Sequence, residues 1–174
     1  MLKSAKSFIN IPIVSLYNSA KIGSLLDFIV ESEVGKIIGV VGAESGFFKK
    51  KAMVVSVVDI REISKKVLIV DSEDVMVPQE EVIKIDKALK SGIKIFDNRV
   101  ITESGKNLGR VSDFLVDEFF YIAKIYVKPP LVNILETELI IPRESILKIT
   151  KNKIIVSDDT LERVKDAETV GATQ

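Results

Sequence analysis

The stretch ESGFFKKK at residues 44–51 is the densest group of side chains in this sequence that could bind a ligand. It sets two aromatic rings beside three ammonium groups on a loop-like segment, and these residues are Phe47, Phe48, Lys49, Lys50 and Lys51. Such a group could contact a phosphate, a lipid headgroup or an acidic protein. The alternative, which we favour, is a connection between strands whose rings pack in the fold and whose lysines are solvated.

The chain offers no set of residues typical of an enzyme. It contains no histidine and no cysteine, which excludes thiolate chemistry, the usual zinc sites and histidine general-base catalysis. GAESG at 42–46 lacks the G-x-S-x-G order of a hydrolase, and ESGKNLG at 103–109 is not a phosphate-binding loop. The acidic runs at 72–81 and 157–168 lack the spacing of a calcium loop. We therefore predict a protein that is not an enzyme and has neither cofactor nor metal.

Charge and hydropathy narrow the class of protein. The 174 residues include 25 Lys and Arg and 25 Asp and Glu, so the formal net charge is zero. A protein whose whole surface binds nucleic acid needs a basic excess, although a local basic patch is compatible with this balance. No apolar run reaches the roughly 18–20 residues of a membrane span. We expect a cytoplasmic protein without a transmembrane segment, and the lack of cysteine suits that compartment.

An internal repeat organises the chain. Shifted by 86 residues, the sequence aligns with itself without a gap, so that IGSLLDFIVE at 22–31 falls on LGRVSDFLVD at 108–117. We predict two tandem domains, residues 1–86 and residues 87–174, the second ending in a short polar tail. The polar stretch KIDKALKSG at 84–92 is the predicted junction.

Each copy is predicted to be all-β. Short runs rich in Val and Ile, such as KIIGVVGA in the first copy and YIAKIYV in the second, are broken by Gly, Ser, Asn or charged residues. The sequence has no long helical period, so we expect at most short helical turns. Short strands at this spacing favour a small antiparallel β-barrel in each copy, because closure removes exposed strand edges.

Three positions recur in both copies and are interpreted as structural: Gly23, Asp27 and Phe28 in the first, and Gly109, Asp113 and Phe114 in the second. Apolar residues around the first aspartate do not alternate strictly, which favours a sharply coiled or bulged strand. The glycines would supply an unusual dihedral or a close backbone approach. The aspartates could act as a general base or a cation ligand, but their recurrence favours carboxylates that accept backbone hydrogen bonds.

The repeat also provides a control for the lysine-rich stretch. Its partner under the shift is PLVNILET at 130–137, which keeps apolar residues but no lysine. The apolar content is therefore assigned to the fold, and the three lysines to the first copy alone.

The most apolar and aromatic stretch is EFFYIAKIYVKPPLVNIL at 118–135. Its Phe119, Phe120 and Tyr121 fall on smaller or charged residues of the first copy, Glu33, Val34 and Gly35. Rings present in only one copy could serve an interface, between the two domains or between chains, and the alternative is a place in the core.

The stretches SAKIGSLLDFIVESEVGKIIGVV and ESGKNLGRVSDFLVDEFFYIAKIYV resemble the PRC-barrel family. The resemblance is carried by a turn, a glycine, a strand with an aspartate, and a second strand, followed later by the segments VVSVVDI and LIIPRESI. It covers nearly the whole chain in two copies and implies small β-barrels. It also implies an adaptor or docking protein whose partner is another protein, with a homo-oligomer as a further option. The alternative is an RNA- or ribosome-associated assembly factor that uses the lysine-rich loop.

Overall fold

The computed structural model describes residues 1–31, 35–44, 53–130 and 137–160. Within these residues, regular structure is mostly β-strand, and the strands form two sheets that each curl into a half-barrel. The predicted all-β fold class is confirmed.

The first sheet uses the N-terminal half of the chain, after a short strand β1 (Lys3–Ser4) that pairs elsewhere. Its strands are β2 (Pro12–Ser15), β3 (Lys21–Glu31), β4 (Lys36–Glu44), β5 (Met53–Ser56), β6 (Ile60–Ile63), β7 (Leu68–Val70) and β8 (Val77–Pro78). They are ordered β6-β7-β2-β3-β4-β5-β8. Neighbours are antiparallel except for β2 and β7, which are parallel.

The second sheet uses the C-terminal half. Its strands are β9 (Arg99–Thr102), β10 (Asn107–Val116), β11 (Ile122–Lys128), β12 (Leu139–Pro142), β13 (Ile146–Ile149) and β14 (Lys153–Val156). They are ordered β12-β11-β10-β9-β14-β13, with β9 and β14 parallel. Strand β1 pairs with β10, so the N-terminus of the chain belongs to the second sheet. The sequence predicted antiparallel barrels, whereas each half contains one parallel pair of strands.

The two sheets repeat one strand order, but the match between them is not gapless. Pairing within each sheet makes Ile13 equivalent to Val100, 87 residues on, because each lies opposite the recurrent glycine of the next strand. Val40 is equivalent to Ile125, 85 residues on, because each lies opposite the recurrent phenylalanine. The single shift of 86 is thus wrong for β2 and β4, since turn lengths differ by one residue and hydrogen bonding sets the register.

A bulge follows the recurrent glycine in both halves. The register shifts between Leu25 and Asp27 in β3 and at the equivalent positions of β10, which explains why apolar side chains occur on both faces. Gly109 has φ of +125°, and a Cβ built there would lie 1.8 Å from the carbonyl oxygen of Lys128. At Gly23 a Cβ would lie 2.6 Å from a backbone oxygen, although its φ is ordinary. Close approach is therefore common to both glycines, and the unusual dihedral belongs to the second.

The two half-barrels share one hydrophobic core. A single cluster of buried residues includes members of both sheets, and the rings of Phe28 and Phe114 meet edge to face at 5.6 Å between centroids. Phe8 packs on the first ring at 6.4 Å and Phe96 on the second at 4.9 Å. Because the two central rings are repeat equivalents that contact each other, the halves are related by an approximate two-fold axis.

The two long hairpins meet near the same axis. The N–H of Ile37 donates to the carbonyl of Phe120 at 2.8 Å, and the N–H of Ile122 donates to the carbonyl of Gly35 at 3.0 Å. A shift of 85 residues relates Ile37 to Ile122 and Gly35 to Phe120, so the two hydrogen bonds are equivalent to each other. The axis-related pairing joins β4 to β11 and adds backbone hydrogen bonds to the shared core.

The predicted polar junction contains the one α-helix of the described residues, α1 (Ile83–Ser91). Ile85 is buried in a second, smaller cluster with Ile29, Ile38 and Val54 of the first sheet. Gly92 ends the helix in the left-handed conformation, with φ of +69°. The helix has nine residues, whereas the sequence predicted at most short helical turns, because a single fully buried residue, Ile85, gives only a weak helical period.

Candidate functional site

The five residues Phe47, Phe48, Lys49, Lys50 and Lys51 lie outside the described residues. The interpretation of that segment therefore stays a prediction, and the candidate site is built from the rest of the chain.

Asp113 ties the N-terminal segment to the second sheet. One carboxylate oxygen accepts the N–H of Phe114 at 2.7 Å and the N–H of Lys6 at 2.9 Å. The other accepts the hydroxyl of Ser4 at 2.5 Å. With both oxygens occupied by fixed donors, this carboxylate has the environment of a structural anchor.

Asp27, the equivalent residue, is half-buried and has fewer partners. Its carboxylate accepts the N–H of Phe28 at 2.8 Å. Burial raises the pKa of Asp27 above its ordinary value, while the Phe28 N–H and the charge of Lys94 act in the opposite direction. The same residue type at the same bulge thus has two different electrostatic surroundings.

An open depression of about 500 Å³ lies beside Asp27. Ile9, Leu26 and Phe96 provide its apolar lining, and Lys6 and Ser112 stand at its polar side. The side chain of Leu26 is 45% exposed, and serine occupies the equivalent position of the second half. An exposed leucine that the repeat does not require is a candidate contact for another molecule.

The aromatic hairpin lies where the two halves meet. Phe120 packs against the shared core, and the Nζ of Lys36 lies 5.1 Å from the centroid of the Tyr121 ring. Phe119 is 68% exposed. The three rings that the sequence placed together therefore have three different environments.

The observed register also changes the residues with which these rings are compared. Phe120 matches Gly35, not Val34, and both have positive φ, at +64° and +61°. Asp117 stabilises the turn by accepting the N–H groups of Phe119 and Tyr121 at 2.9 and 2.8 Å. A phenylalanine is costly in this conformation, so its packing on the core must offset that strain.

A row of four cations crosses four neighbouring strands of the second sheet. Lys153 lies opposite Arg99, and Arg99 lies opposite Arg110. Arg110 in turn lies opposite Lys128, and all four side chains are exposed. Sequence reasoning missed this row because its members are spread over residues 99–153, and only strand register makes them neighbours.

Two curled sheets around one core define the class of this protein as all-β, built from two half-barrels. The family model of the PRC-barrel domain matches residues 92–163, a range that holds all strands of the second sheet except β1. The predicted PRC-barrel resemblance is thereby supported for one domain. No curated protein matches the sequence.

Two classes of feature are not found in the described ranges. Residues 1–31, 35–44, 53–130 and 137–160 contain no group of three or more potential metal ligands close enough to share an ion. In the same part of the chain, no helix combines the length and hydropathy that crossing a bilayer requires.

Proposed function

We propose that this protein is a non-enzymatic docking protein made of two PRC-barrel-like halves and acting in the cytoplasm. The family match supports this for residues 92–163, because the PRC-barrel is a small module often found in protein-interaction contexts. The repeated strand order and the shared bulge support extending the same description to the first half.

The depression beside Asp27 is the observation that carries the proposal. Leu26 is exposed in this depression, whereas the equivalent residue of the second half is the polar Ser112, so the fold alone does not account for an exposed leucine. Apolar side chains surrounded by polar groups are the usual centre of a protein interface. The partner would insert an apolar side chain between Leu26 and Phe96.

The chemistry of the two recurrent aspartates supports a role without catalysis. Asp113 has both oxygens engaged by the N-terminal segment and by its own strand. Asp27 faces the depression, but neither histidine nor cysteine exists in the chain to act with it. Lys6 and Ser112 also line the depression, but within the described residues no hydrogen bond or ion pair joins either side chain to the Asp27 carboxylate, as a nucleophile or acid–base pair would require.

Site-specific photo-crosslinking tests the proposal. A photoreactive amino acid replaces Leu26 in the cell that produces the protein, and adducts are identified by mass spectrometry. We expect one discrete protein adduct at this position. Tyr17, which is 84% exposed and does not line the depression, is the matched control and should give no such adduct. The same adducts at both positions, or none at Leu26, would argue against docking at this depression.

An RNA- or ribosome-associated role is the second candidate, and the row of cations is the observation that favours it. Binding of single-stranded nucleic acid also uses aromatic side chains on which bases stack. The described residues that line the cavity beside the row are charged and polar residues, glycine, valine and two prolines, and none of them is aromatic. We therefore rank this role below docking to a protein.

A further inference from the structure

We propose that the cation row formed by Lys153, Arg99, Arg110 and Lys128 binds an acidic segment of a protein partner. This inference rests on the proposed docking function and names the chemistry of the partner. Like charges on directly opposite residues of neighbouring strands destabilise a sheet. Here three successive pairs carry like charges, so the free protein bears a cost that a bound polyanion would remove.

The repeat shows that the fold does not require these cations. In the first sheet, Pro12 lies opposite Ser24, and Ser24 lies opposite Ala43, in the same pairing as Arg99, Arg110 and Lys128. Three uncharged residues thus occupy the same strand positions in a half-barrel with the same strand order. The positive charge is therefore a property added to the second half.

Among the described residues, the cavity beside the row is lined by more cations than carboxylates, whereas Lys6 and Lys128 also line a neighbouring cavity with Asp113 and Glu138. A cavity of about 630 Å³ is lined by Arg99, Arg110, Lys128 and also Lys6, and its acidic lining residue is Asp97. Arg110 donates to the backbone carbonyl of Asp97 at 2.7 Å and lies 3.6 Å from its carboxylate. Among the described lining residues, four cations against one carboxylate give this cavity an excess of positive charge.

The surroundings favour a protein segment as the ligand. Adjacent strands are about 4.8 Å apart, so the row extends for about 14 Å, which is the length of about four extended residues. Carboxylates suit guanidinium groups because each can accept two parallel hydrogen bonds. The apolar depression shares Lys6 and Ser112 with the cavity, so a single chain with acidic and apolar side chains could occupy both.

Binding of a labelled peptide tests the inference directly. The probe is a fluorescein-labelled peptide of alternating glutamate and leucine, and its matched control carries glutamine in place of glutamate. Fluorescence anisotropy should detect binding of the acidic peptide at about 0.05 M NaCl and much weaker binding at about 0.5 M, because salt screens exposed charges. The glutamine peptide should bind at least about tenfold more weakly.

Variants then locate the site. Arg110→Ser and Lys128→Ala introduce the residues that the first half has at these positions. Combined with Arg99→Ala, they should weaken binding of the acidic peptide about tenfold, because each exposed ion pair contributes only modestly to affinity. The control removes the same charge elsewhere, through Lys65→Ala, Lys66→Ala and Lys148→Ala, and should change the affinity by less than about twofold. Circular dichroism checks that both triple variants remain folded.

Three results would overturn the inference: no binding of the acidic peptide, equal loss in the two triple variants, or tighter binding of a mixed-sequence single-stranded RNA through the same cations. The crosslink at Leu26 separates this failure from failure of the docking function. If the triple variant of the cation row gives as much adduct at Leu26 as the wild type, the row does not bind the partner, and the proposed docking function still stands. Peptide binding through the row, with no adduct at Leu26 in the wild-type background, rejects the depression and leaves the row intact.

Discussion

Replacing Phe114 by alanine should destabilise both halves of the protein together. This ring is fully buried and meets Phe28 across the boundary between the sheets, at 5.6 Å between centroids. Truncating a buried phenylalanine to alanine usually costs about 3–5 kcal/mol. The ring also loses its contact with Phe96 at 4.9 Å, so we expect a cost near the upper end, about 4–5 kcal/mol.

Urea denaturation combined with native-state hydrogen exchange measures this cost in each half. Val40 and Ile125 are equivalent, fully buried residues of the first and second sheets, so their amides report on the two halves. We expect a single unfolding transition and an equal fall in the opening free energy at both amides. The reason is that the core is continuous, so neither half keeps its apolar face covered when the other opens.

A double-mutant cycle isolates the contact between the two rings. Phe28→Leu and Phe114→Leu should couple by about 0.5–1.5 kcal/mol, the range for an aromatic pair beyond its buried area. Phe114→Leu with Ile85→Val is the control, because Ile85 belongs to the separate cluster, and these changes should add within about 0.5 kcal/mol. The reasoning is refuted if Val40 keeps its protection while Ile125 loses it, since the halves would then be independent domains.

Further predictions concern the bulge, the hairpin and the charge row. Gly109→Val should cost at least about 3 kcal/mol in chemical denaturation, because a Cβ there would overlap the carbonyl of Lys128 and φ is +125°. Asp27→Asn should raise the unfolding free energy at pH 7, because burial raises the folded-state pKa of this carboxyl and its ionised form therefore costs stability. That advantage should shrink as the pH falls through the Asp27 pKa, and a gap that widens on acidification would contradict the sign. Phe120→Ser should cost about 1–2 kcal/mol in thermal or urea unfolding, whereas Phe119→Ser should cost under about 0.5, because the first ring packs on the core and the second is exposed. Lys128→Ala should leave stability equal or higher at low salt and reduce the stabilisation by added NaCl, because it removes one like-charge pair.

The recurrent residues were accessible from the sequence because their requirements are local. The lack of strict apolar alternation around the recurrent aspartate predicted a sharply coiled or bulged strand, and a bulge is present in each half. Short runs of β-branched residues likewise predicted an all-β fold, because strand patterning is a property of adjacent residues. The PRC-barrel resemblance followed from the same residues, and the family match covers the second copy.

Only the tertiary structure decided how the copies meet. Sequence similarity cannot distinguish two separate barrels from two half-barrels around one core, because both bury the same apolar residues. The register of β11 against β10, set by hydrogen bonds and turn length, moved the partner of Phe120 from Val34 to Gly35. The same register placed Arg99, Arg110 and Lys128 side by side. Residues far apart in the chain become one charged surface only when strands pair, and pairing is a long-range property that local pattern does not encode.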